Sequence, residues 1–144
     1  MLPALIVLGT AAVLYYLSQQ TADAPGHCAA ATGGSGMKLS FDEILQLATN
    51  AGFGCDGQTA AAIALAESGG DPDAYNPETQ ANAPEGEGSY GLWQIYHNKH
   101  KEFTPDQLRD PQTNANEAFK IYNDAGGFSP WSTFKSGAYQ EFLP

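Results

Sequence analysis

From Gln58 to Glu67 the chain reads QTAAAIALAE, and this stretch constrains the fold more than any other. Alanine is the best helix former. With Ile63 and Leu65 the only large apolar side chains, the helix is small enough for neighbours to approach from every side. A helix that is apolar all round is buried, so this one is predicted to run through the centre of the fold. Glu67-Ser68-Gly69-Gly70 ends it, and Asp71-Pro72 blocks its continuation.

Helical signals surround it. Ser40-Phe41-Asp42-Glu43 is a capping box that opens a helix with Phe41, Ile44, Leu45 and Ala48 on one face, stopping at Gly52. Thr104-Pro105-Asp106-Gln107 is a cap with proline at the first helical position. Asp110-Pro111 opens another helix, with Ala115, Ala118, Phe119 and Tyr122 at core spacing, which stops at Gly126-Gly127. Ser129-Pro130-Trp131 starts a short turn, and a last helix is expected within 136–143. Residues 71–89 lack apolar periodicity and read as a long surface loop. No stretch alternates as a strand, so the expected fold class is mainly α, a small helical domain over 40–144.

Two segments precede that domain. Leu2 to Leu17 is an unbroken apolar or small run ending at Ser18-Gln19-Gln20, with Tyr15 and Tyr16 placed as interfacial aromatics. As a helix it reaches about 24 Å, slightly under a hydrocarbon core of ~30 Å. No Lys or Arg precedes the run, and Ala22-Asp23-Ala24 is followed by Pro25, so an uncleaved transmembrane anchor over 1–20 is favoured over a signal peptide. Residues 21–39 are rich in Ala, Gly, Ser and Thr and read as a flexible linker reaching about 25 Å. Cys28 and Cys55 offer one disulfide across linker and domain, or two unrelated thiols.

Sixteen acidic against six basic residues give a formal charge of −10. Such a surface repels phosphate backbones, which excludes nucleic acid as a partner. It gains nothing from anionic lipid either. Affinity for any anionic polymer would have to come from a shaped groove and from the tether.

Glu67 is the odd residue of its helix. The carboxyl end of a helix and apolar surroundings both favour the protonated form of a carboxyl group, as a general acid near neutral pH requires. The plain alternative is a glutamate exposed at the helix end and bonded to the following loop. On the residue alone, that alternative is the better one.

Four motifs in order reverse the balance. ALAESGGDPDAYNP, then GSYGLWQI, LRDPQTNANEAFKIY and GGFSPWSTFKSGAY together resemble the lytic transglycosylase (SLT domain) and goose-type lysozyme superfamily, in its short phage or secretion-associated form, over about 40–144. The resemblance implies a lysozyme-like fold, Glu67 as the catalytic acid and Ser68 beside the scissile sugar. Gly91-Leu92-Trp93-Gln94 matches the family's Gly-Leu-Met-Gln, which implies Gln94 in the groove near Glu67. Asp110, Pro111 and Asn114 look structural. Two departures stand out. Where many transglycosylases have an Ala-Tyr-Asn motif whose tyrosine contacts the acid, this chain has Pro130-Trp131-Ser132-Thr133-Phe134, leaving Tyr139, Tyr90 or a main-chain group for that contact. Where goose-type lysozymes place an aspartate after the glutamine motif, this chain has Tyr96, and Glu85 or Glu87 are the candidates for their upstream acid.

Ordinary glycosidases need two carboxylates, whereas the resemblance to lytic transglycosylases implies one. Glu67 would protonate the oxygen between N-acetylmuramic acid and N-acetylglucosamine, then take the proton from the muramoyl 6-hydroxyl as a 1,6-anhydro ring closes. No metal or cofactor is expected. Tyr75, Tyr90, Trp93, Trp131 and Tyr139 are candidates for stacking on sugar faces, each weighed against a core role. His97 and His100 with Glu102 make a weak metal pattern that reads better as a solvated helix face. Asp71, Asp73 and Asn76 resemble the start of a calcium loop, but the later ligands are missing. Three readings follow: a membrane-held transglycosylase that opens the wall locally for a phage virion or secretion apparatus, a hydrolytic lysozyme of the same fold, or a non-catalytic glycan-binding or assembly protein. The partners would be peptidoglycan glycan strands, the membrane through residues 2–17, and virion or secretion-complex proteins. The location would be a virion or bacterial inner membrane with the domain facing the periplasm or cell wall.

Overall fold

The computed structural model describes residues 36–79 and 86–144. The expected anchor, most of the linker, Cys28 and Glu85 lie outside the described residues. No helix among the described residues is long and apolar enough to cross a membrane. Cys55 is exposed.

The elements in order are α1 (Phe41–Ala51), α2 (Gly57–Ser68), β1 (Tyr75–Pro77), β2 (Gly88–Tyr90), β3 (Ile95–Tyr96), α3 (Pro105–Arg109), α4 (Pro111–Ala125) and α5 (Ser132–Ser136). Three-ten turns span Gly54–Asp56, His97–Lys99 and Ala138–Phe142. The expected caps are formed. The Ser40 hydroxyl accepts from the Glu43 N–H while the Glu43 carboxylate accepts from the Ser40 N–H at 2.8 Å. Thr104 and Gln107 repeat that reciprocal pair at α3, and Asp110 caps α4. Each satisfies amide groups that the first helical turn leaves without partners.

Central placement of α2 follows from its alanines. Ala60, Ala61, Ala62, Ile63 and Ala64 are all fully buried. Five consecutive residues cover more than one turn, so burial is on every side. The helix packs against α1, α5 and the 138–142 turn. Gly69, in the left-handed conformation, stops it with its N–H donated to the Leu65 carbonyl at 2.8 Å.

The mainly helical class holds, with one correction. A three-stranded antiparallel sheet in the order β1-β2-β3 begins within the expected loop and runs past it to Tyr96, with Tyr75 opposite Tyr90 and Ser89 opposite Tyr96. Strands of two or three residues are too short for an alternating pattern to register. Their register depends on main-chain approach: a Cβ at Gly88 would lie 2.3 Å from the Asn76 carbonyl oxygen, so only glycine fits that crossing.

Aromatic rings close the core. Phe53 stacks between Trp93, at 6.3 Å, and Phe128, at 5.9 Å, and Phe128 meets Trp131 at 6.1 Å. Asn114 is the polar centre of this core. It is fully buried, accepts from the Trp93 N–H and donates to the carbonyls of Tyr90 and Leu108. The Asp-Pro-x-x-Asn stretch therefore starts α4 and also pins the Gly91–Trp93 turn.

Candidate active site

The carboxyl end of α2, the sheet with its following turn, and the segment leading into α5 converge on a cavity of about 460 Å³. Glu67, Gln94, Tyr96, His100 and Trp131 are among its lining residues. Two indoles hold the three walls together. The Trp93 ring N–H donates to the Ala60 carbonyl in α2 at 3.0 Å, and the Trp131 ring N–H donates to the Trp93 carbonyl at 3.0 Å. Trp93 has no exposed surface and Trp131 is 6 % exposed, so both brace the cavity more than they present a face to it.

Glu67 is half-buried at the cavity. Its Oε1 accepts a hydrogen bond from the Thr133 hydroxyl at 2.7 Å. This contact differs from the sequence expectation, which named Tyr139, Tyr90 or the main chain. Thr133 lies in the first turn of α5, within the segment that replaces the Ala-Tyr-Asn motif. The segment was identifiable in the sequence, but which of its side chains reaches back to Glu67 depends on how α5 docks on α2.

Gln94 lines the cavity with φ of 50°, the one non-glycine residue of positive φ among the described residues. Its side-chain amide donates to the carbonyls of Gly91 at 2.9 Å and Ala74 at 3.3 Å. Those bonds hold a conformation that L side chains rarely adopt.

Thus Glu67, Trp93, Gln94 and Trp131 are brought together, while Ser68, Tyr90 and Tyr139 are not among the lining residues. The Ser68 hydroxyl donates to Ala64 and accepts from the Gly70 N–H, completing the end of its own helix. Tyr90 is buried, stacked on Tyr75 at 4.7 Å, with the Arg109 guanidinium over its ring. Burial, with Tyr75 beside it, raises the Tyr90 hydroxyl pKa above its ordinary value, and that hydroxyl donates to the Gly86 carbonyl. Tyr139 stacks on Phe134. Tyr75 is on the sheet with its hydroxyl donated to the Glu87 carbonyl.

The acidic candidates also separate. Glu85 lies outside the described residues. Glu87 is buried, paired with Lys101, and has His97 at 3.7 Å. A carboxylate absent from the sequence expectations takes the place beside the cavity: Tyr96 donates its hydroxyl to Glu78 at 2.8 Å. Asp71 accepts from the Asp73 N–H within a turn, and Asn76 lines the cavity. In the expected metal pattern the histidines part company. His97 turns to the Phe103 carbonyl, whereas His100 lies with Glu102 and Glu117, whose ligand atoms fall within 4.8 Å of one another.

Removing the Thr133 hydroxyl should loosen the carboxylate without disturbing the cavity walls. Thr133→Val is expected to lower kcat about tenfold with KM nearly unchanged, since one hydrogen bond to an ionisable group is lost. Steady-state release of soluble fragments from peptidoglycan checks this, and an equal loss through KM would place Thr133 in substrate binding instead.

A family model described as a lysozyme-like domain matches residues 45–133. That span holds most of α1, all of α2 and the sheet, and Glu67, Gln94 and Thr133. Searches of curated proteins and of solved structures return no match. With well over half of its length matched, and with the helix-end glutamate and both tryptophans inside the match, the chain belongs to the lysozyme-like domain family of peptidoglycan-cleaving proteins.

Proposed function

We propose that the domain is a peptidoglycan lytic transglycosylase that cleaves the N-acetylmuramic acid–β-1,4–N-acetylglucosamine bond and leaves a 1,6-anhydro product. The observation that carries this reading is the solitary Glu67: among the described residues lining the cavity it is the one carboxylate, held by the Thr133 hydroxyl. A single carboxyl group suffices when the substrate supplies the nucleophile.

In the first step the Glu67 carboxyl group gives its proton to the bridging oxygen. The bond from that oxygen to the anomeric carbon breaks, its electron pair leaving with the oxygen, and the substrate's 2-acetamido oxygen steadies the cationic carbon. In the second step the Glu67 carboxylate takes the proton of the muramoyl 6-hydroxyl, and that oxygen bonds to the anomeric carbon. Glu67 ends protonated, as it began. Gln94, anchored through its amide to Gly91 and Ala74, and Trp131 shape the wall against which the sugar rests.

The same reading holds the domain near the wall by residues 2–17, for local wall opening by a phage virion or a secretion apparatus, with the domain on the periplasmic or wall side of the membrane. What supports a tether is the charge of −10, which provides no attraction to an anionic polymer.

Hydrolysis is the second reading, and one observation favours it. Tyr96 lines the cavity and holds the Glu78 carboxylate, a group of the kind that activates water in two-carboxylate glycosidases. Mass spectrometry of digested peptidoglycan separates the two. Anhydro-muramoyl ends are expected, and reducing muramoyl ends sensitive to Glu78→Gln would sink transglycosylation in favour of hydrolysis.

A further inference from the structure

We infer that His100, Glu102 and Glu117 form a binding site for a divalent transition-metal ion of the Zn²⁺ type beside the cavity. His100 closes the 97–99 turn and lines the cavity, Glu102 follows it, and Glu117 projects from the middle of α4. The three offer one nitrogen and two carboxylate oxygens within 4.8 Å of one another. Around an ion with bonds of about 2.0–2.1 Å, such atoms stand roughly 3.3 Å apart, so a small rotation, mainly of the exposed Glu102, closes the set.

The independent sign is the state of Glu117. Its side chain is only 5 % exposed, yet its Oε1 receives no hydrogen bond, although His100 Nδ1 approaches to 2.7 Å. A buried carboxylate oxygen without a donor is costly and uncommon in a folded core. A simple ion pair would align the imidazole N–H with that oxygen. At 2.7 Å the two stand closer than ligands of a common ion, so an ion would part them slightly and take the place of the imidazole as the partner of that oxygen. Lys120 on α4 is a cation that feels both carboxylates. Its pKa is raised by Asp124 first and by Glu117 and Glu102 more weakly, and its ammonium is committed to Asp124 at 2.9 Å.

The donor set selects the class of ion. Calcium and magnesium take shells of oxygen, whereas imidazole with carboxylates suits zinc and its first-row neighbours. Three protein ligands leave a further coordination position to water. An ion here would cross-link the 97–103 segment to α4 and fix the wall that carries Lys99 and His100. It would also lessen the charge of −10 at the point where two carboxylates meet. Sequence spacing paired His100 with His97. The third ligand instead comes from a helix that starts eleven residues beyond His100.

The full chain, stripped with a chelator and dialysed, should bind a single equivalent of Zn²⁺ by isothermal titration calorimetry. Excess Zn²⁺ should raise its Tm by several degrees, because an ion that binds only the folded state stabilises it by mass action. His100→Ala and Glu102→Gln should each weaken binding about tenfold or more, and the exposed position of Glu102 leaves the core intact in the second variant. Glu117→Gln, whose folding circular dichroism would verify, should do the same. Absence of saturable binding, or binding unchanged in Glu102→Gln and His100→Ala, would overturn the inference, the latter by assigning the ion to other groups such as Cys55 or His97.

Discussion

Glu67→Gln is expected to lower peptidoglycan cleavage by about 10³-fold, within the range by which positioned acids and bases accelerate such reactions, while the folded state is kept. Glutamine matches glutamate in shape, and its carbonyl oxygen still accepts from the Thr133 hydroxyl that now contacts Glu67 Oε1. What disappears is the proton. Stability should change by no more than about 0.5 kcal/mol, because the side chain is half-buried and glutamine keeps its shape and its acceptor oxygen. Paired measurements of soluble-fragment release and thermal unfolding test both halves. Undiminished cleavage would remove Glu67 from the chemistry. Loss of cleavage together with a large fall in Tm would mean that its role had been structural.

The second large effect is expected far from any sugar. Asn114→Ala should destabilise the domain by about 3–5 kcal/mol, since each buried group left without its partner costs about 1–3 kcal/mol. Three groups are involved: the Trp93 N–H and the carbonyls of Tyr90 and Leu108. For a domain of this size such a loss lowers Tm by roughly 15 °C or more. Asn114→Asp should fare little better. It keeps an acceptor for Trp93 but faces two carbonyl oxygens with oxygen in place of N–H. Activity should fall with stability, because the turn held by Asn114 carries Trp93 and Gln94. The packing at Gly91 is consistent with this demand, since a Cβ there would lie 2.4 Å from both the Asn114 amide nitrogen and the Leu108 carbonyl oxygen. Denaturant or thermal unfolding is the check, and a Tm within a few degrees of wild type would show that Asn114 is dispensable.

Much of the helical framework was legible because its signals are local. Ser40 with Glu43, Thr104 with Gln107 and Asp110 with Thr113 are cap pairs three residues apart, and such bonds form in any chain that starts a helix there. The strands were not legible. Gly88–Tyr90 and Ile95–Tyr96 are defined by pairing with other segments, which no period in two or three residues can announce. Among the site residues, Gln94 and the two tryptophans were recognised by motif and do line the cavity. Ser68 and Tyr90, picked out by the same motifs, have their hydroxyls engaged within their own neighbourhood.

By itself, then, the sequence determined that an alanine-built helix lies at the centre, where its neighbours begin and end, and that a glutamate closes it. Composition, caps and short motifs act over one or two turns, and their physics is complete within that range. Only the tertiary structure decided what Glu67 meets. Glu67 with Thr133, Tyr96 with Glu78, and His100 with Glu117 became pairs through the docking of α5, the folding back of the sheet and the packing of α4. Glu67 and Thr133 are 66 residues apart, and at that separation the hydrogen bond is a consequence of core packing rather than of any spacing along the chain.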